Sequence, residues 1–169
     1  SFPWGRNLRS RAKRGFLLAV VLFITAIAVP PGNAGNGAAQ QDKEDVGFMV
    51  VVNAANPVVS LTLEEVSRFL LKKVSRWDNG QLVHPVDQSV DSTVRAVFTH
   101  HIHHREVDAV KRFWQQRIFA GRDTPPPVRP SDEEVIRYIE GNPGAVGYVS
   151  STATLTEKVR QVALVGRDK

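Results

Sequence analysis

The 169-residue chain contains no cysteine. An exported domain of this sequence must therefore be held by its core alone, without disulfides. The same absence excludes a CxxC redox or metal motif and a lipid-anchored cysteine. A Gly-rich phosphate loop and an HExxH pair are also missing, and no serine stands in a motif resembling an activated nucleophile. Asp87 and Asp91 flank one loop, but around a helix start they read as structural. An enzymatic role and a bound cofactor are not expected. No internal repeat is present. Beyond the N-terminal region no apolar run reaches the roughly 20 residues a spanning helix needs. An excess of positive charge is missing too, once the chain is divided. Five basic residues (Arg6, Arg9, Arg11, Lys13, Arg14) lie near the start, and residues 35–169 carry 17 of each sign. The high isoelectric point thus belongs to the first segment, and nothing predicts a nucleic-acid partner.

What is there begins with that segment. The basic cluster precedes an uncharged apolar run over residues 15–29, followed by small residues at 32–34 and 37–39. This is the pattern of a secretory signal, with cleavage expected after Ala34 or Ala39 and an uncleaved anchor as the alternative. Residues 1–39 are read as signal peptide and flexible leader, residues 40–169 as one α/β domain, and the compartment as the periplasm.

Residues 48–53 are apolar and β-branched, a buried strand by composition. Thr62 and Glu65 form a capping box before Leu63, Val66, Phe69 and Leu70, which recur at helical spacing and stop near Lys72. A turn at 77–80 leads to a short strand at 82–86. Asp91 or Ser92 caps a second helix with Val94, Val97 and Phe98 on one face. A third helix over 107–119 ends at Gly121, and the four prolines of residues 124–130 mark a loop. Ser131 and Glu134 form a second capping box, opening a helix that ends at Gly141. Strands follow at 146–149 and 159–164. The order β-α-β-α-α-α-β-β predicts a small mixed sheet flanked by helices. Trp77, Phe113 and Trp114 are expected in the core.

Three segments carry a resemblance: FLLKKVSRW at 69–77, FWQQRIFAG at 113–121 and NPGAVGYV at 142–149. In this order and spacing they resemble the phosphate-type substrate-binding proteins of ABC importers, with Lys72 where that family usually has glycine. The resemblance runs from about residue 46 to 164. It implies one lobe of a type II periplasmic binding protein, a fold whose full-length members have two. It also implies a site. In the family a loop between a strand and a helix holds phosphate through an arginine and a Ser-Gly-Thr run at the helix N-terminus, where free N–H donors and partial positive charge favour anions. Here the matching residues run from Gln88 to Val94: Gln88 replaces the arginine, Asp91 a small residue, Thr93 the glycine and Val94 the threonine, while Ser89 and Ser92 match. Losing the arginine removes a charge-assisted donor pair, and Asp91 adds a negative charge.

The candidate ligand residues are therefore Gln88, Ser89, Ser92 and Thr93, with Tyr148, which either faces a cleft or covers the sheet. The expectation is an oxyanion-binding-like protein whose affinity for phosphate or a related anion is weak or lost. The alternative is a ligand-free interaction module contacting a membrane sensor, transporter or envelope partner. His100 and His104, four apart, are the nearest thing to a metal pair; the run around them reads more simply as a solvated helix end, and no metal is expected.

Overall fold

The computed structural model describes residues 46–166. The signal and leader read in residues 1–39 lie outside them. The element order is β1 (Phe48–Asn53), β2 (Ser60–Thr62), α1 (Leu63–Leu70), β3 (His84–Pro85), β4 (Asp87–Gln88), α2 (Thr93–His103), α3 (Val107–Phe119), β5 (Val128–Arg129), α4 (Asp132–Glu140), β6 (Ala145–Ser150), β7 (Val159–Gln161) and β8 (Ala163–Val165). It is an α/β fold with a mixed sheet, as the sequence predicts.

A four-stranded sheet runs β3-β6-β1-β7. β1 is antiparallel to both neighbours, with Val50 opposite Tyr148 and Val52 opposite Arg160, while β3 joins β6 in parallel. The side chains of β1 alternate, as a strand must. Val50 and Val52 join Val146 and Tyr148 on one face, under Val66, Phe69 and Leu70 of α1 and Phe98 and Ile102 of α2. Met49 and Val51 join Val149 on the other, under Val135, Ile136 and Ile139 of α4. Both faces being covered explains why residues 49–52 read as an unbroken apolar run. Burying each such side chain contributes about 1.5–3 kcal/mol before chain entropy is set against it. Gly147 sets how close α4 comes: a Cβ there would lie 2.6 Å from Val86 Cγ1 and 3.3 Å from Ile139 Cδ1 and Val135 Cγ1.

α1 starts on the expected box: Glu65 N donates to Thr62 Oγ1 at 3.2 Å and Thr62 N donates to Glu65 Oε2 at 2.8 Å. The second box forms only by half. Glu134 N donates to Ser131 Oγ at 3.4 Å, but the Glu134 carboxylate is taken by Arg137. α3 packs Val110 and Trp114 against Leu71 and leaves Ile118 half exposed.

Two expected strands divide. The strand read at 82–86 forms only at 84–85, as β3, and β4 follows just past it at 87–88. Val86 N still donates to Val146 O, and the chain then leaves β6 for a parallel pairing with β5, inside the proline-rich loop. The strand read at 159–164 becomes β7 and β8. At Val162 the backbone passes from Val50 to a separate ladder, where β8 lies parallel to β2. No helix among the described residues is long and apolar enough to cross a membrane.

Candidate functional site

The 88–93 loop connects β4 to α2, and a buried polar network lies beneath it. Gln88 is 2 % exposed and every hydrogen-bonding atom of its side chain is engaged. Its Nε2 donates to Asp132 Oδ1 at 2.8 Å and to Tyr148 O at 3.1 Å, and its Oε1 accepts from Ser92 Oγ at 2.6 Å. Asp132, in the first turn of α4, also accepts from Ser150 N at 3.1 Å, so one side chain joins β4, α4 and β6.

Ser92 is the N-cap of α2: its Oγ accepts from Arg95 N at 3.2 Å, and its own N–H donates to Ser89 O at 3.0 Å. Ser89 N donates to Arg129 O on β5 at 3.0 Å, which pins the start of the loop. Thr93 is exposed as the first helical residue. Asp91 and Val90 are exposed in the loop. Tyr148 is fully buried on the sheet, stacked on Phe98 with ring centroids 3.7 Å apart. Its hydroxyl donates to Asp87 Oδ1 and accepts from Gln88 N at 3.3 Å. It supports the loop from below.

Arg95 was not among the sequence candidates, and its role follows from which face of α2 turns inward. The buried residues are Arg95, Phe98, Thr99 and Ile102, an i, i+3, i+4, i+7 stripe, so the inner face is rotated from the expected Val94, Val97 and Phe98. A cation on that stripe needs a carboxylate. Asp87 supplies it at 2.9 Å, and Arg95 also donates to Gln88 O. Burial pushes the Asp87 carboxyl above its usual range, opposed by Arg95, the Tyr148 hydroxyl and the Gln88 N–H. Tyr148 is driven well above the ordinary phenol value, by burial first and by the Asp87 charge second. Apolar periodicity hid Arg95, because a reading that counts only valines and phenylalanines skips the position where a charge is buried in a pair.

The histidine run separates into different environments. His100 is exposed, 3.6 Å from Glu106 Oε1. His104 lies past the end of α2 with φ +51°, so helical i, i+4 geometry does not relate the two rings. His103 is the exception to a solvated helix end: its Nδ1 lies 2.8 Å from Ser67 Oγ on α1, and its ring meets Phe98 edge-on. Burial, then the charges of Arg105, Arg95 and Lys73, lower its pKa to about 4. Among the described residues no three His, Cys, Asp or Glu side chains converge as metal ligands.

Lys72, at the position where the resembled family has glycine, adopts φ +51° and closes α1 as glycine would. Its side chain adds something glycine cannot, with Nζ donating to Asp123 Oδ1 and Thr124 O at 3.0 Å each.

No protein-family model matches the chain, and no curated protein matches it in sequence. Solved structures do match in fold. A Clostridium perfringens protein described as a phosphate ABC transporter substrate-binding protein, solved with bound phosphate, superposes with TM-score 0.57 at 17% identity, covering 70% of this chain and 45% of its own. An ABC-type phosphate transport receptor from Vibrio cholerae gives 0.55 at 21% identity, with 70% and 46% covered. PstS from Borrelia burgdorferi gives 0.56 at 13% identity, with 70% and 47% covered. This chain spans less than half the length of these structures. Its fold is thus similar to roughly one lobe of the substrate-binding proteins of phosphate ABC transporters.

Proposed function

We propose that the chain is a receptor-like lobe of the phosphate type, which binds an inorganic oxyanion weakly where the 88–93 loop meets the N-terminus of α2. The observation that carries this reading is the β4-loop-α2 unit itself. A strand at a sheet edge leads directly into a Ser-capped helix in a fold similar to phosphate receptors. The first amides of α2 have no carbonyl one turn earlier, so they are donors for an anion. Ser89 and Thr93 add hydroxyls beside them; the Ser92 hydroxyl is spent on Gln88 Oε1 and on capping the helix, Gln88 holds the loop in shape, and Tyr148 braces it from beneath.

Weak affinity has a physical basis. Gln88 has no side-chain donor left for a ligand, and the Arg95 charge is balanced by Asp87. The exposed Asp91 repels anions. The proposed compartment is the periplasm, reached through the signal read in residues 1–39; the likeness to ABC-transporter receptors supports it.

A second reading has its own observation. Val90, in the loop, and Val128, opposite Asp87 in the β4-β5 ladder, are about half exposed. Apolar side chains beside the proposed anion contact suit a protein surface better than a hydrated ion. On this reading the face meets a sensor, transporter or envelope protein.

Calorimetric titration of residues 40–169 with phosphate and sulfate, with light scattering on the same sample, separates the two. Saturable binding at or below roughly millimolar anion, corresponding to about −4 kcal/mol or tighter, supports the receptor reading. A folded monomer that shows no saturation there overturns it and leaves the interaction module.

A further inference from the structure

The outer face of α3 serves neither the core nor the 88–93 loop. Val110 and Trp114 turn the helix inward against Leu71. Asp108, Lys111, Arg112, Gln115 and Phe119 therefore share the opposite side, and all five are exposed. Phe119 is 90 % exposed, the most of any large apolar side chain among the described residues, and Ile118 beside it is 50 % exposed. Gly121, at φ +64°, and a bond from Arg122 N to Arg117 O at 3.0 Å close the helix and keep Arg122 within a turn of Phe119. Lys111, Arg112 and Arg122 enter no ion pair among the described residues. An apolar pair rimmed by free cations marks a contact surface better than scattered apolar residues do.

Charge is spread unevenly over a domain whose two signs nearly balance. Residues 107–122 carry four basic side chains and one acidic, whereas α4 carries four acidic and one basic. α4 covers one face of the sheet, and α3 packs beside α1, which covers the other. A second copy would not satisfy the α3 face with its α4. Asp132 already accepts from Gln88 and Ser150, Glu134 pairs with Arg137, and Glu140 accepts from Thr156. Nor does α4 expose a large apolar side chain for Phe119 to meet.

We propose that the outer face of α3 docks on an anionic lipid surface. Lys111, Arg112 and Arg122 meet the headgroup phosphates, and Phe119 with Ile118 enters the boundary between headgroups and acyl chains. An anionic bilayer supplies both halves of the chemistry this face offers, negative charge and an apolar layer directly beneath it. The acidic α4 side then faces away from the lipid, so the charge asymmetry orients the domain as well as attracting it.

The test uses residues 41–169, a compact unit that holds all three core clusters, so that the apolar run at 15–29 cannot itself carry the protein into lipid. Partition is measured by co-sedimentation with vesicles of equimolar phosphatidylglycerol and phosphatidylcholine, and with vesicles of phosphatidylcholine alone. The expected result is saturable binding to the first, at least roughly ten-fold stronger than to the second and weakening as salt is raised. Arg112→Glu should weaken it roughly ten-fold and Phe119→Ser roughly five-fold, both at exposed positions. Lys158→Glu makes the same change in net charge at an exposed site next to Val159, which packs among the α4 residues, and should leave the partition within roughly two-fold. The proposal is overturned if anionic vesicles are not bound saturably, or are bound no better than neutral ones. It is equally overturned if Arg112→Glu and Lys158→Glu weaken binding alike, which would make the attraction one of net charge. A salt-sensitive dimer that forms without vesicles and is dissolved by Phe119→Ser overturns it in favour of a second copy.

Discussion

Two buried side-chain amides, at the same 2 % exposure, divide the molecule into two kinds of polar region. Gln88 sits in a network where its three side-chain hydrogen bonds reach α4, β6 and α2. Asn56 has one bond, to its own turn, and a donor with none. A saturated amide is structural, because a ligand must break something to use it. An unsaturated one carries a desolvation cost that its single bond repays only in part. The loop proposed as the anion contact is thus tied to the fold by more side-chain bonds than the turn after β1 is.

The largest expected effect tests this difference directly. Gln88→Leu keeps the volume and removes three hydrogen bonds, leaving the Tyr148 carbonyl unmatched; a loss of roughly 3–4 kcal/mol in urea unfolding is expected. Asn56→Ala removes one bond together with the orphan donor and should cost only about 1 kcal/mol. Equal losses would show that the two amides do the same work. The Gln88 result also bears on introducing the arginine of the resembled family: Gln88→Arg places a longer, charged side chain in a filled site, so it is expected to unfold the loop before it improves anion binding.

A half-buried group with a partner on one ring nitrogen stands between these cases. His103 bonds Ser67, and its pKa is lowered to about 4 against an ordinary 6.5. Above pH 6.5 the ring is neutral in both states and nothing is lost. As pH falls from there to about 4, the unfolded chain takes up a proton that the folded ring refuses, so stability declines across that window by at most about 3 kcal/mol. Asp87, held above its usual range by burial, pulls the opposite way, because acid favours its folded form. The readout is therefore the difference between the unaltered chain and His103→Gln in denaturation from pH 7 to 4. Parallel pH profiles would show that His103 is solvated and titrates normally.

What was legible in the sequence is what is local. The capping box at Thr62, the Ser92 cap and the apolar run of β1 all depend on neighbours within a few positions, and each forms. β2, β5 and β8 have two or three residues each and exist because of pairings such as Ser60 with Ala163, over a hundred positions apart. No window of sequence contains that information. The site behaves likewise. Ser92 announces itself as a cap, whereas the burial of Gln88 depends on Asp132 and Tyr148, far along the chain. The inward turn of Arg95 depends on Asp87, eight positions back across a loop.

The smallest expected effects compare two helix ends with the same backbone strain. Lys72 and His104 both have φ +51°, a region costing a residue with a Cβ roughly 1–2 kcal/mol, of which glycine's extra freedom in the unfolded chain returns about half. His104→Gly gives up only an exposed side chain and should gain about 0.5–1 kcal/mol in thermal or urea unfolding. Lys72→Gly obtains the same relief but loses the bonds to Asp123 and Thr124, and a partly exposed ion pair of this kind contributes about 0.2–1 kcal/mol. Its net change should lie near zero. If Lys72→Gly instead stabilises as much as His104→Gly, the lysine bonds contribute nothing, and Lys72 is a tolerated strain. If it destabilises, the lysine has become a tie between the end of α1 and the loop after α3, a function the glycine never had.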